Sequence, residues 1–316
     1  MVPYIIRRLL IALPVLFGVT IVNFIIINLA PGNPVEMFID PNTSTELLNL
    51  RKEQLGLNDP LWVQFFHWLG NLLQGNLGFS YSTYEPVSKL ILYRMGPTIE
   101  LMLLALIIGL VIALPIGIIS AVKQYSKLDY FVTGTSFFGI SIPHFFLGLG
   151  LIYIFAVNLQ ILPAGGMSTL GSEDSFIDKL KHLILPVLVL ATGIAGQYVR
   201  YVRASLLEVL GHDYLRTARA KGLKEMVVTN KHALKNALIP IITVIGLEIP
   251  FLLGGAVITE QVFQWPGMGQ LTIQSIMSRD YPTLMALNLL TAFMVLFANL
   301  FTDILYSFVD PRIKYK

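Results

Sequence analysis

The sequence contains no cysteine, which excludes disulfides, thiolate metal sites and thiol redox chemistry from this chain. Charge is scarce too, with Asp, Glu, Lys and Arg making up 13% of 316 residues. A water-soluble surface cannot be built from so few charges. No G-x-x-x-x-G-K-[ST] occurs, so the chain cradles no nucleotide phosphate, and neither H-E-x-x-H nor G-x-S-x-G is present. The histidines, His67, His144, His182, His212 and His232, never fall at the i, i+4 spacing of a helical metal pair. There is no repeat at a fixed period and no low-complexity tract, so residues 1–316 read as one membrane domain.

What fills the sequence is apolar: 55% of residues are hydrophobic and the mean hydropathy is +0.70. The apolar runs spread over the whole length, which predicts an all-α polytopic membrane protein. Six segments are long enough to span, at about 9–29, 99–122, 131–158, 183–200, 238–259 and 284–306, the fourth being the shortest. Arg7 and Arg8 before Leu9–Leu29 resemble a signal peptide's start, but the apolar run is too long for one, so a retained first helix is expected. With the N-terminus inside, 15 of the 22 Lys and Arg residues fall on the cytoplasmic side, and both termini are cytoplasmic. The net charge of +3 is small and its basic residues are clustered, which argues against a nucleic-acid partner.

Two hydrophilic segments exceed plain connectors: an extracytoplasmic one at 30–98 and a cytoplasmic one at 201–237. In the outer one, Asp59 can cap a helix whose first turn takes Pro60 and which Gly75 ends. Its aromatic face, including Trp62, Phe65 and Trp68, either packs on the chain's own membrane domain or docks another protein. Inside the spans, Glu248 stands out, since a carboxylate at mid-bilayer costs about 2.5–3.5 kcal/mol on insertion scales. It should face a wet substrate path or bond to a neighbouring helix, on a helix where Gly246, Pro250, Gly254 and Gly255 permit close packing and a kink.

The inner segment holds eight Lys or Arg from Arg200 to Lys235. Three helical turns ending at Gly222 and a second helix to Pro240 exceed what orientation needs, and such a hairpin suits the groove of a soluble partner. Here the sequence resembles the integral-membrane permeases of ATP-binding-cassette importers, specifically the first permease of the oligopeptide, dipeptide and nickel class. The resemblance runs from Arg7-Arg8 to Asp310-Pro-Arg312, through Ala30-Pro-Gly-Asn-Pro34, Ser141-Ile-Pro-His144, Asp213-Tyr-Leu-Arg-Thr-Ala-Arg-Ala-Lys-Gly222, His232-Ala-Leu-Lys-Asn-Ala-Leu-Ile-Pro240 and Trp265-Pro-Gly-Met-Gly269.

It implies a type I importer permease architecture in a bacterial or archaeal cell membrane, importing peptides, or nickel or another small solute. It also implies a second permease subunit, two ATP-binding subunits that carry ATP and Mg, and an extracytoplasmic substrate-binding protein. This chain would then be no enzyme and would hold no cofactor itself. Coupling to the ATPase falls on Asp213, Tyr214, Arg216, Thr217, Ala218, Arg219, Ala220, Lys221 and Gly222, although Arg216 and Thr217 stand where the general family pattern has Glu and Ala. The outer face toward the binding protein would take Trp62, Phe65, Trp68 and Trp265. An ion-coupled secondary transporter would instead need ionisable residues in several spans, where only Glu248 is well placed.

Glu248→Ala is expected to lower transport without lowering expression; unchanged transport would make the residue structural or idle.

Overall fold

A computed structural model describes residues 2–29, 50, 52–53, 56–172, 175–254 and 256–309, and among them the chain is helical apart from one isolated bridge between Phe79 and Pro86. The elements are α1 (Val2–Leu29), α2 (Leu61–Leu73), α3 (Val87–Val122), α4 (Lys127–Ser141), α5 (His144–Leu151, widening into a π-helical stretch Ile152–Asn158), α6 (Phe176–Leu210), α7 (Asp213–Ala220) and α8 (Glu225–Val227). A second π-helical stretch, Val228–Ala233, leads into α9 (Leu234–Gly254), followed by α10 (Val257–Val262), α11 (Met268–Met277) and α12 (Tyr281–Val309).

Four of these helices, α1, α3, α6 and α12, are long and apolar enough to cross a membrane, and the pair α4–α5 makes five if counted as one span. That pair departs from the straight span expected over 131–158, because its axis turns by 95° between Ser141 and His144. The cause is local. Pro143 offers no N–H and pushes the preceding residue out of the helical region, and Ile142 is accordingly extended at φ −73°, ψ 122°. Helix α9, 21 residues long, starts before the expected fifth segment, 238–259, and ends within it at Gly254, α10 beginning at Val257; the side chains of 247–254 lie outside the described residues.

The fourth segment, expected only over 183–200, is the 35-residue α6. Ser175 caps it by accepting from the Asp178 N–H at 3.3 Å, and its polar last turns continue past Arg200. It is the most enclosed span, 67% of its most apolar window being buried against 33% for α3 and 17% for α1. Its partner is α3. Gly109 and Gly117 leave no room for a side chain there: a Cβ at 117 would stand 2.7 Å from the Val202 Cβ and 3.0 Å from the Val199 carbonyl oxygen. Small residues at a membrane helix contact let backbones approach, and dispersion between the helices supplies the attraction that lipid does not. Leu101, Ala105, Ala113, Leu190, Val199 and Val202 complete that seam.

In the outer segment, α2 begins at Pro60 without the expected Asp59 side-chain cap. The Gln64 amide donates to the Asp59 carbonyl at 2.8 Å instead, and Gly75 closes the helix at φ +78° as its composition predicts. The stretch Ala30–Pro34 lies outside the described residues.

Gly117→Leu should force α3 and α6 apart at a cost of about 1–3 kcal/mol. A lowered melting temperature of the detergent-solubilised protein checks this, with Gly96→Ala, where no atom lies within 4 Å of a new Cβ, expected to leave it unchanged.

Candidate functional site

The polar hairpin that follows α6 is built on an apolar seat. Leu215 and Ala218, one turn apart on α7, are buried together with Leu206, Val209, Val228, Ala233 and Ala237, so α7 lies back against the ends of α6 and α9. The spacing of those two residues is the signal that α7 has an inward face, and it leaves Ala218 turned to the chain's own core. The other residues expected to meet a partner, Asp213, Tyr214, Arg216, Thr217, Arg219, Ala220, Lys221 and Gly222, are all exposed.

Helix α7 is shorter than the three turns expected, and its end is set by Gly222. With φ +77°, this residue occupies the left-handed region that a β-carbon disfavours. Its N–H bonds the Arg219 carbonyl at 2.9 Å and the Leu223 N–H bonds the Ala218 carbonyl at 3.4 Å, the two bonds of a Schellman cap. Arg219 then bridges the turn: Nε and Nη2 lie 2.8–3.2 Å from the Glu225 oxygens, holding that carboxyl below its ordinary range and raising the guanidinium. Both groups are exposed, so the pair fixes geometry more than it adds stability. Tyr214 stacks on His212 with ring centroids 5.9 Å apart and accepts from the Asn236 amide at 2.7 Å. Around this frame Arg216, Lys221 and Lys224 project outward beside the exposed Met226 and Leu223. The second arm does not stop at Pro240, as expected, but runs on into α9.

A second constellation lies against Pro97 and Thr98 of α3, about three turns from its start. The loop between α10 and α11 wraps over it: Trp265 is fully buried and its Nε1–H donates to the Pro97 carbonyl at 3.0 Å. Beneath it, the buried Glu260 carboxylate accepts from Thr98 Oγ1 at 2.8 Å and from the Gln270 N–H at 3.0 Å, while Thr98 accepts from the Met268 N–H at 2.7 Å. Gly267 is obligatory, because a Cβ there would collide with the Glu260 carboxylate and the Thr98 hydroxyl. Burial pushes the Glu260 carboxyl above the ordinary range, against the pull of these hydrogen bonds.

Nearby, Asp280 accepts from the Tyr81 N–H at 2.9 Å and from the hydroxyls of Ser80, Ser82 and Thr283, tying the 79–86 turn to α12. Burial first, then the Asp280 charge, pushes the Tyr81 hydroxyl up to about 12. At the hairpin end of the molecule Asp129 takes both Nε and Nη2 of Arg203, at 2.7 and 2.8 Å, and also bonds Ser120 and the Tyr125 N–H.

Among the four aromatics expected on the outer face, Trp62 is 67% exposed and Trp68 is partly exposed. Phe65 is buried, its ring 5.3 Å from Phe24 on α1, so this side of α2 packs on the chain's own domain. Trp265, as described, faces inward. Glu248 lies on α9 with its side chain outside the described residues. Glu260, Asp280 and Asp129 do not stand out in the sequence. A serine or threonine within a few residues of each is the signal, too common to be decisive.

Residues 113–315 match the family model described as the binding-protein-dependent transport system inner membrane component, and residues 1–102 match the model of the N-terminal part of such membrane components. The oligopeptide transport system permease protein AppB of Bacillus subtilis is 48% identical over 316 residues, covering 100% of both chains. The dipeptide transport system permease protein DppB of Alkalihalophilus pseudofirmus is 43% identical over 333 residues, again covering 100% of both. The glutathione transport system permease protein GsiC of Escherichia coli is 40% identical over 316 residues, with 100% of each chain covered. Among solved structures, a chain of the MetNI methionine ABC transporter in an inward-facing conformation aligns with a TM-score of 0.58 at 20% identity, over 71% of this chain and 97% of that one. That likeness shows the fold.

Glu260→Leu leaves the Thr98 hydroxyl and the Gln270 N–H without their acceptor, about 1–3 kcal/mol for each. The melting temperature of the solubilised protein should drop sharply, and Glu260→Gln, which keeps one acceptor oxygen, should lose less.

Proposed function

This chain belongs to the family of binding-protein-dependent transport system inner membrane components, and on that premise we propose that it lines half of a pathway carrying peptides into the cell. It is a multi-pass permease subunit of an ATP-binding-cassette importer in the bacterial plasma membrane. Peptides are the cargo that the full-length relatives' names support, since oligopeptide, dipeptide and glutathione systems all match end to end.

The observation that carries the mechanism is the hairpin 213–233, seated on α6 and α9 by Leu215 and Ala218 and rigid at its turn through Gly222 and the Arg219–Glu225 pair. A rigid, basic projection is what a separate ATPase subunit can grip. Movement of the two ATPases then reaches the spans as a rigid-body displacement and alternates access between the two faces. In this reading the spans are α1, α3, the bent α4–α5, α6, α9 and α12, and both termini are cytoplasmic. A second permease supplies the other half of the path, with Glu248 on this half. The binding protein docks on the opposite face, where Trp62 of α2 offers an exposed ring. ATP and Mg belong to the partner subunits.

The complete importer reconstituted in vesicles should take up peptide with ATP, continue in the presence of an uncoupler and stop on ATP depletion. Gly222→Val should remain in the membrane yet lose uptake, because valine at φ +77° unmakes the cap. Normal uptake by that variant would remove the hairpin from the coupling mechanism. Since no native cysteine competes, Lys221→Cys on the intact cell should resist an impermeant maleimide and react once the inner face is opened; labelling from outside would reverse the assigned orientation.

A further inference from the structure

Two arginines one turn apart on α6 are treated differently by their surroundings. Arg203 is matched oxygen for nitrogen by Asp129, which is itself 2% exposed. The Arg200 guanidinium lies 4.4 Å from the centroid of the Phe137 ring on α4, and no carboxylate pairs with it among the described residues. Both border one cavity of about 610 Å³ between α4 and α6, whose walls also include Thr133, Gln197 and Tyr201. Arg200, Phe137 and Tyr201 are exposed at its rim.

That volume lies within the range of small-molecule sites, about 300–1,000 Å³. Its charge is unbalanced: Asp129 cancels Arg203, so the cavity keeps one positive charge, on Arg200. Resting on an aromatic face leaves the N–H edges of a guanidinium free, and those edges match a carboxylate in the fork geometry that a lysine does not offer. The aromatic walls accept an apolar side chain, and Gln197 and Thr133 supply amide and hydroxyl groups for a peptide backbone.

We propose that this cavity is a transit site for the cargo, in which Arg200 takes the C-terminal carboxylate of a peptide. The inference rests on the peptide-importer reading above. The α6 walls of the cavity, residues 197–204, lie in the half of that helix from which the hairpin departs, and so the cavity belongs to the release side of the path in the assigned orientation. A single cationic contact exposed at its rim holds a passing solute without trapping it, as conduction requires.

Because the chain has no cysteine, Q197C introduces a single thiol in this subunit of the complete importer. Its reaction with a sulfonate-bearing methanethiosulfonate is compared with that of the trimethylammonium reagent, read by mass on this chain. The ratio of the two rates should fall about tenfold when R200Q is added and return with R200K. Alanyl-phenylalanine should slow the sulfonate reaction, and its C-terminal amide should not. A ratio unmoved by R200Q overturns the proposal. So does a charge preference that the peptide leaves untouched, which assigns Arg200 to an anionic lipid, and so does a thiol inert to both reagents in every nucleotide state, which assigns the cavity to the second permease. Peptide uptake by the unsubstituted importer separates the two levels: its absence overturns the importer reading, whereas normal uptake with any of those labelling results overturns the transit site alone.

Discussion

The close approach of α3 and α6, permitted by Gly109 and Gly117 against Ile194 and Val202, fixes where every other polar contact can form. In lipid there is no water to drive two apolar helices together, so backbone proximity and dense packing must do so. Once α3 is held along α6, two places on it become reference points. Pro97 and Thr98 in its first half receive the α10–α11 loop, and Ser120 near its far end meets Asp129 from α4. The hairpin then follows directly from the exposed end of α6.

Three buried carboxylates do similar work at different places. Asp129, Glu260 and Asp280 each accept from donors on two separate segments, so each joins parts of the chain that sequence sets far apart. Glu260 and Asp280 draw on backbone N–H and hydroxyl donors, and Asp129 adds the Arg203 fork. A buried carboxylate satisfied in this way specifies one arrangement, because any slip of a helix by a turn would strand several donors at once. Stability at these points comes as a set and would be lost as a set.

Much of this was legible in the sequence, and the misses share a cause. Apolar runs located the long helices α1, α3, α6 and α12, and Gly75 and Gly222 located helix ends, because length, composition and left-handed backbone are local properties. The sharp bend at Pro143 was hidden inside an apolar run that reads as one span, since hydropathy carries no information on direction. The length of α6 was underestimated because its ends are polar while its packing is not: Val202, Leu206 and Val209 stay buried beyond the apolar segment. Trp265 was placed on the outer face by the resemblance to importer permeases, and the structure buries it. Its partner, the Pro97 carbonyl, is 168 positions away in the chain and leaves no local trace. Separation along the chain likewise hides the Phe65 ring, which packs with Phe24 and Ile27 of α1 and Met285 of α12.

From Glu225 to Gly254 the chain is helical without interruption, through a π-helical stretch and past Pro240. At about 1.5 Å of rise per residue this makes a rod on the order of 45 Å long, one end in the hairpin and the other deep in the spans. Along such a rod the points that can bend under a push on its exposed end are Pro240 and Pro250, each of which removes an intrahelical hydrogen bond. Its first turns are clamped sideways by Leu215 and Ala218, so up to Pro240 it can pivot or turn about its axis more readily than it can bend. The wider π-helical turn at Val228–Ala233 offsets the register of side chains on either side of it, so a given twist at Glu225 reaches the membrane portion pointing in a different direction. Stiffness here belongs to the backbone and not to any one contact, which makes the linkage tolerant of changes in side-chain identity along its length and intolerant of a change in its number of residues.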